Sequence, residues 1–252
     1  MSSVWIGLIA FACLFGAAVL GTFIRAWLPE HHQSADSQRI VSLGAGIIGT
    51  MAALVLGLLI ASAKGSYDTQ SNELTEMAAK IALLDRGLAV YGPDAQTCRE
   101  VLQRLVDRTV AELWPNEQRS REIASRPLRS TPGELYQSID ELSPQNDMQR
   151  AIKSQATGML TQLAEQRWLI LEQRRSSVSK PLLVILIFSL AINFFTFGLF
   201  APRNATVMAT LCVCALASAG AIYLMMEFYH PYGGLIQIPS GTLQNALMQW
   251  SQ

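Results

Sequence analysis

Four stretches of this chain carry no charged residue: Val4–Ile24, Ile40–Ala63, Pro181–Pro202 and Asn204–Met226. A helix needs roughly 20 apolar residues to cross a hydrocarbon core about 30 Å thick, and each stretch has that length. They could instead be buried helices of a soluble core, but the polar remainder is too small to cover four of them. The first stretch reads as a retained span rather than a signal peptide. The residues from Met1 to Trp5 include no Lys or Arg, and the apolar run exceeds the usual roughly 7–15 residues.

Composition sharpens this picture. Half of the 252 residues are hydrophobic and 15% are charged, against about 25% charged in a typical soluble domain. The 19 basic and 19 acidic residues cancel, and Lys64–Lys180 holds 16 of each. There is no net field to attract nucleic acid or to steer a charged substrate. The expected fold is an all-α integral membrane protein: four transmembrane helices with a helical cytoplasmic insert between spans two and three. Residues 1–63 would form a first transmembrane pair, 64–180 a coiled-coil-like cytoplasmic domain, 181–226 a second pair and 227–252 a cytoplasmic tail with a short amphipathic helix.

Four spans put both termini and the insert on one side of the membrane. Lys64, Lys80, Arg167, Arg174, Arg175 and Lys180 lie on that side, against Arg25, Arg39 and Arg203 on the other. The positive-inside rule then makes the insert cytoplasmic, in a cell (inner) membrane. Cys13, Cys212 and Cys214 lie in spans and Cys98 is alone in the insert, so the cysteines form no disulfide framework.

The insert has helical patterning. Tyr67, Gln70, Leu74, Met77, Ile81, Leu84, Leu88 and Tyr91 follow strict 3-4 spacing, the seam of a helix packed at a shallow angle along a neighbour. Nothing but Gly65 interrupts the run from span two, which predicts one helix from Ile40 to about Tyr91, roughly 75 Å long. A second helix should cover about Ala95–Leu113, with Trp114-Pro115 as its stop and the polar stretch Asn116–Ser130 irregular. Thr131-Pro132-Gly133-Glu134 is a capping box with Pro at the first helical position. It opens a short helix to about Leu142, and Ser143-Pro144 opens a long one with Met148, Ile152, Met159, Leu163 and Ile170 on its buried side.

Candidate sites are few. Span two has a small-residue face of Ser42, Gly46, Gly49, Ala53 and Gly57, with Thr50 nearby. Small-xxx-small spacing lets helix backbones approach closely, and the same residues would leave room for an ion along a pore. Spans one and four show comparable stripes at Ala17–Gly21 and Ala217–Ala221. Asn193, the amide deep in span three, precedes Phe194, Phe195 and Phe197. A polar group in hydrocarbon needs a partner, either a neighbouring helix or an ion in an aromatic constriction. Glu30, His31, His32 and Asp36 do not add up to a metal site without a further ligand nearby. Trp114, Trp168 and Trp250 suit packing or interfacial anchoring. No catalytic motif, phosphate loop or zinc spacing is present, so no enzymatic activity and no cofactor is expected.

The tail is more distinctive. Glu227-Phe228-Tyr229-His230-Pro231-Tyr232-Gly233-Gly234 directly follows span four, and Ser240 then caps a short helix with Leu243, Leu247 and Trp250 on one face. This segment resembles the Glu-Leu-Asp-Arg-Pro-Phe-Ser-Gly-type motif that ends the last span in the bacterial bestrophin-like membrane family. Glu227, Pro231, Tyr232 and Gly234 fit it, while Tyr229 stands where the motif has Asp and His230 where it has Arg. Leu84-Asp85-Arg86, Tyr91-Gly92-Pro93 and Trp114-Pro115 fall in the family's order, and two span pairs flanking a helical insert match its layout.

The resemblance implies an oligomeric, anion-permeable channel, with chloride as the natural candidate ion. The implied partners are further copies of the chain, the lipid bilayer and small anions, with no nucleic acid. True bestrophins also carry a calcium clasp of acidic residues, yet no segment here has the oxygen-ligand density of a calcium site. The alternative is a non-conducting membrane scaffold or sensor that docks a partner through its helical cytoplasmic domain.

Overall fold

The structure is a computed structural model, described here for residues 3–25, 27, 35–115, 131–173, 180–202 and 204–243. The described residues are helical or irregular, with no strand among them. Among the described residues the helices are α1 (Ser3–Arg25), α2 (Ala35–Tyr91), α3 (Gln96–Leu113), α4 (Pro132–Asp140), α5 (Asp147–Gln173), α6 (Lys180–Phe200) and α7 (Ala205–Phe228), with a 3₁₀ turn at Pro93–Ala95. Four of them, α1, α2, α6 and α7, are long and apolar enough to cross a membrane. The expected irregular stretch Asn116–Ser130, the candidate loop residues Glu30, His31 and His32, and Leu247 and Trp250 of the tail lie outside the described residues.

The chain divides into two compact units. One comprises Met1–Tyr67 and Ser177–His230, the other Asp68–Ser176 and Pro231–Gln252.

In the first unit, α1 lays a stripe of Ala10, Leu14, Ala18 and Gly21 inward. It meets α6 so closely that a Cβ on Gly21 would fall on the backbone of Phe195, and one on Gly198 on the backbone of Ala18. Only glycine permits that crossing, which is how helices gain contact area where the hydrophobic effect cannot drive them together. Arg25, at the end of α1, donates to the carbonyls of Phe200 and Ala201. It thereby caps α6, where a cation also complements the helix dipole. The buried stripe of α7 is Leu211, Ala215, Ala219, Ile222 and Met226. Ala217 and Ala221, expected as a packing stripe, lie off it. Ala52, Leu59 and Ala63 of α2 join Leu186, Ala219, Ile222 and Met225 in one apolar cluster. Tyr67 closes this unit against Phe228, ring centroids 5.6 Å apart.

In the second unit the 3-4 seam of α2 is covered. Gln70, Leu74, Met77, Ile81, Leu84, Leu88 and Tyr91 are all buried within the chain itself. The seam therefore needs no second copy to cover it. Gly92 ends α2 with φ 118°, a left-handed conformation that side-chain-bearing residues rarely adopt. The buried carboxylate of Asp85 takes two hydrogen bonds from Arg99, at 2.7 and 3.0 Å, tying α2 to α3. The α4 N-cap is Thr131, whose hydroxyl accepts from the Glu134 amide, as the capping box predicts. Lys153 of α5 donates to the carbonyls of Asp140 and Leu142, holding the C-terminal end of α4.

The start of α5 departs from the sequence expectation. The helix begins at Asp147, and Met148 is exposed rather than buried. Asn146 caps it through the Gln149 amide, and Gln149 turns inward to reach the Tyr91 carbonyl at 2.9 Å. The first turn is thus oriented by a polar contact, and Met148 faces away.

Candidate functional site

The sequence-derived site residues of α2 and α6 separate into two groups. Asn193 and Phe194 are buried, and Gly49 is half-buried beside Asn193. A Cβ on Gly49 would lie 3.2 Å from the Asn193 Oδ1. The Asn193 Nδ2 donates to the Ser189 carbonyl one turn back, at 3.2 Å. The amide is therefore satisfied on its nitrogen side inside α6 and presents its oxygen to α2. Phe195 lies half-buried at this level.

The other group faces outward. Ser42, Gly46, Thr50, Ala53 and Gly57 are exposed in the single chain, and Gly46 and Gly57 have open space where a side chain would go. The Thr50 hydroxyl is spent on the Ile47 carbonyl at 2.9 Å. Phe197 is also exposed. The structure thus brings Gly49 and Asn193 together and does not bring Thr50 or Phe197 to them. The inward face of α2 is instead Ala45, Gly49, Ala52, Leu59 and Ala63.

Two features were missed. Thr196, buried and donating to the Ile192 carbonyl, lies one turn from Asn193, and i,i+3 spacing could have flagged it. The outward face of α2 also carries Ile40, Leu43, Ile47, Leu54 and Leu58, each well exposed. They interleave with the small residues, so this face is a continuous apolar surface with shallow notches.

The tail motif is anchored at several points. In the first unit Glu227 is buried, and the His230 amide and Nδ1 meet the carbonyls of Glu227 and Met226, each at 2.9 Å. In the second unit Pro231 and Tyr232 are buried, and the Ile238 amide returns to the Pro231 carbonyl at 2.8 Å, closing a loop around the half-buried Gly234. Tyr232 packs edge-to-face on Trp114 at 5.3 Å, and the Trp114 Nε1 donates to the Ile238 carbonyl at 2.9 Å. Two motifs far apart in sequence, Trp114-Pro115 and the tail, are halves of one contact.

Titratable groups in the second unit point to structure rather than chemistry. Burial pushes the Cys98 thiol up, with Glu141 acting in the same direction, which keeps it protonated and unreactive. Burial, then the charge of Asp94, raises the Tyr91 phenol. Burial would raise the Glu112 carboxyl, but hydrogen bonds and charge from Arg167 and Arg108 prevail and hold it below the ordinary range. Among the described residues no three His, Cys, Asp or Glu side chains converge as a metal site would require. The described acidic residues therefore do not form a calcium clasp.

Four apolar helices of spanning length and a second unit whose described elements are helices and turns define a helical membrane protein. A family model for the Bestrophin-like domain matches residues 5–243, and the chain belongs to that family. Its fold is similar to solved structures of a bacterial bestrophin homologue from Klebsiella pneumoniae. Two point variants of that homologue align at 15% identity and TM-score 0.67, covering 97% of this chain and 99% of theirs. A third aligns at 14% identity and TM-score 0.67, covering 98% of this chain and 99% of its own. No curated protein matches the sequence significantly.

Proposed function

We propose that the chain assembles as a homo-oligomeric, anion-permeable bestrophin-like channel of the inner membrane, with four crossings and both termini and the large insert in the cytoplasm. The observation that carries the reading is the outward face of α2. Ser42, Gly46, Ala53 and Gly57 leave notches between exposed apolar side chains, the surface a second helix needs for close approach. Family membership and the channel activity that the bestrophin resemblance implies support the conducting role. With no Lys or Arg inside a span, selectivity would rest on hydroxyls, amides, backbone dipoles and aromatic edges, and would favour the more easily dehydrated anions.

The test is reconstitution of purified protein into liposomes, read as anion flux over empty vesicles and as particle mass in mild detergent. Gly57→Leu fills a notch that has open space in the protomer, so it should lower the oligomer fraction and leave the protomer helical. Asn193→Leu should change ion preference while assembly persists. Absence of flux from well-assembled particles at varied pH and calcium would turn the reading to a non-conducting scaffold. Labelling of a cysteine at position 34 by an impermeant maleimide in intact cells supports the orientation, and labelling at position 130 instead reverses it.

A further inference from the structure

The second unit contains an apolar cavity of about 300 Å³ between α2, α3, α4 and α5. Its floor is built from buried side chains, among them Met77, Ile81, Leu102, Val106 and Leu135. Exposed residues, Tyr136 and Thr161, stand at its mouth. Cavities of this size are within the range that takes small organic ligands. A chamber with almost no polar lining holds water poorly, because each water needs two to four polar partners.

One charged side chain reaches this lining, Arg167. Its guanidinium gives one terminal nitrogen to the Glu112 Oε2 at 2.7 Å. Its Nε is buried, with no hydrogen-bond partner among the described residues. An arginine has five donors, and a buried N–H left unmatched is costly. The two lining threonine hydroxyls are already committed as donors, Thr109 to the Leu105 carbonyl and Thr161 to that of Thr157. Glu112 also takes a contact from Arg108 at 2.8 Å, so its carboxylate is shared and does not serve the Arg167 Nε. An apolar chamber edged by an incompletely satisfied guanidinium is complementary to a molecule with an apolar chain and a single anionic, planar acceptor.

We propose that this cavity binds a medium-chain carboxylate amphiphile, its chain on the apolar floor and its carboxylate on Arg167. The site involves no residue of the spans, and its occupancy can be read without measuring any current, so its success or failure is separate from that of the channel reading.

The full chain in phosphatidylcholine vesicles would be exposed to decanoic acid bearing a terminal diazirine, photolysed, and its crosslinks mapped by peptide mass spectrometry. The expected result is labelling of the α3 and α5 segments that carry Leu102–Val106 and Leu160–Ala164. Decanoate should compete roughly tenfold better than 1-decanol, as one charge-assisted contact implies. Arg167→Gln should abolish that preference, and Leu105→Trp, which grows into the chamber, should suppress labelling by either head group. Circular dichroism establishes that each variant is folded. If Arg167→Gln does not fold, the wild-type competition and Leu105→Trp decide the matter. Labelling confined to the spans, or decanol competing as well as decanoate, overturns the proposal.

Discussion

Gly21 of α1 and Gly198 of α6 lie against each other with no room for a methyl group on either: a Cβ on Gly21 would come within 2.8 Å of the Leu199 amide nitrogen, and one on Gly198 within 2.8 Å of the Ala18 carbonyl carbon. Backbone atoms are the obstacle, so relief requires the helices to move apart. Gly198→Ala should cost about 1–3 kcal/mol, the range for overpacking, and lower the thermal midpoint in detergent. Gly220→Ala in α7, where nothing lies within 4 Å, should be neutral or gain up to about 1 kcal/mol from helix propensity. Equal effects at the two sites would refute the close crossing.

The Asp85–Arg99 pair makes an asymmetric prediction. Asp85 is 4% exposed, so removing Arg99 strands a buried carboxylate. Arg99→Leu should destabilise by about 3–5 kcal/mol, whereas the double change Asp85→Leu with Arg99→Leu should recover most of it. Chemical unfolding of the three proteins measures the difference, and a double variant as unstable as the single one would contradict it.

Glu112 should give the protein an acid-sensitive step. Its folded pKa lies below the ordinary range, because the pull of Arg167 and Arg108 outweighs burial. A depressed carboxyl contributes stability in full above the unfolded value, about 4.3. That stability is lost as pH falls through the lower folded value. Glu112→Gln should therefore destabilise at neutral pH and flatten the decline below about pH 4.3. Melting curves across the acid range test this, and parallel curves for the two proteins would exclude it.

Trp114 holds the tail by two means that substitution can separate. Trp114→Phe keeps an aromatic face for Tyr232 and removes the donor to the Ile238 carbonyl, at a cost of about 1–3 kcal/mol if that carbonyl stays dry. Trp114→Ala removes both. Limited proteolysis should cut after residue 230 faster in the order wild type, Trp114→Phe, Trp114→Ala. Equal rates would mean that the tail is secured elsewhere.

How far the sequence could be read depended on the solvent each segment meets. From Gln70 to Tyr91 water stands on one side, so the apolar 3-4 pattern marks the buried face, and the residues it picks are buried. The capping box at Thr131 and the stop at Trp114-Pro115 were legible because turn chemistry is local. Met148 was misread because a neighbouring amide cap, rather than periodicity, orients the first turn of α5. In the spans the contrast disappears. Lipid and protein are both apolar there, and α2 has small residues on two sides. Ala45 and Ala52 face inward while Ser42, Gly46 and Gly57 face outward, and composition alone could not choose between them. The link between Trp114 and the tail, 124 residues apart at Ile238, has no local signature.

That long-range contact also bears on biosynthesis. The second unit is discontinuous: its main part ends at Ser176, and its last piece starts at Pro231. A ribosome must complete both α6 and α7 before Trp114 can meet Tyr232. Until then the nascent chain leaves Trp114, the largest fully buried side chain among the described residues, without its tail partner, in a contact of high sequence separation, the kind that forms slowly and leaves intermediates open to aggregation. A premature stop before Tyr232 would leave α1–α7 translated and their final closure missing, so defects in the segment from Tyr232 onward should surface as quality-control losses rather than as an altered membrane segment.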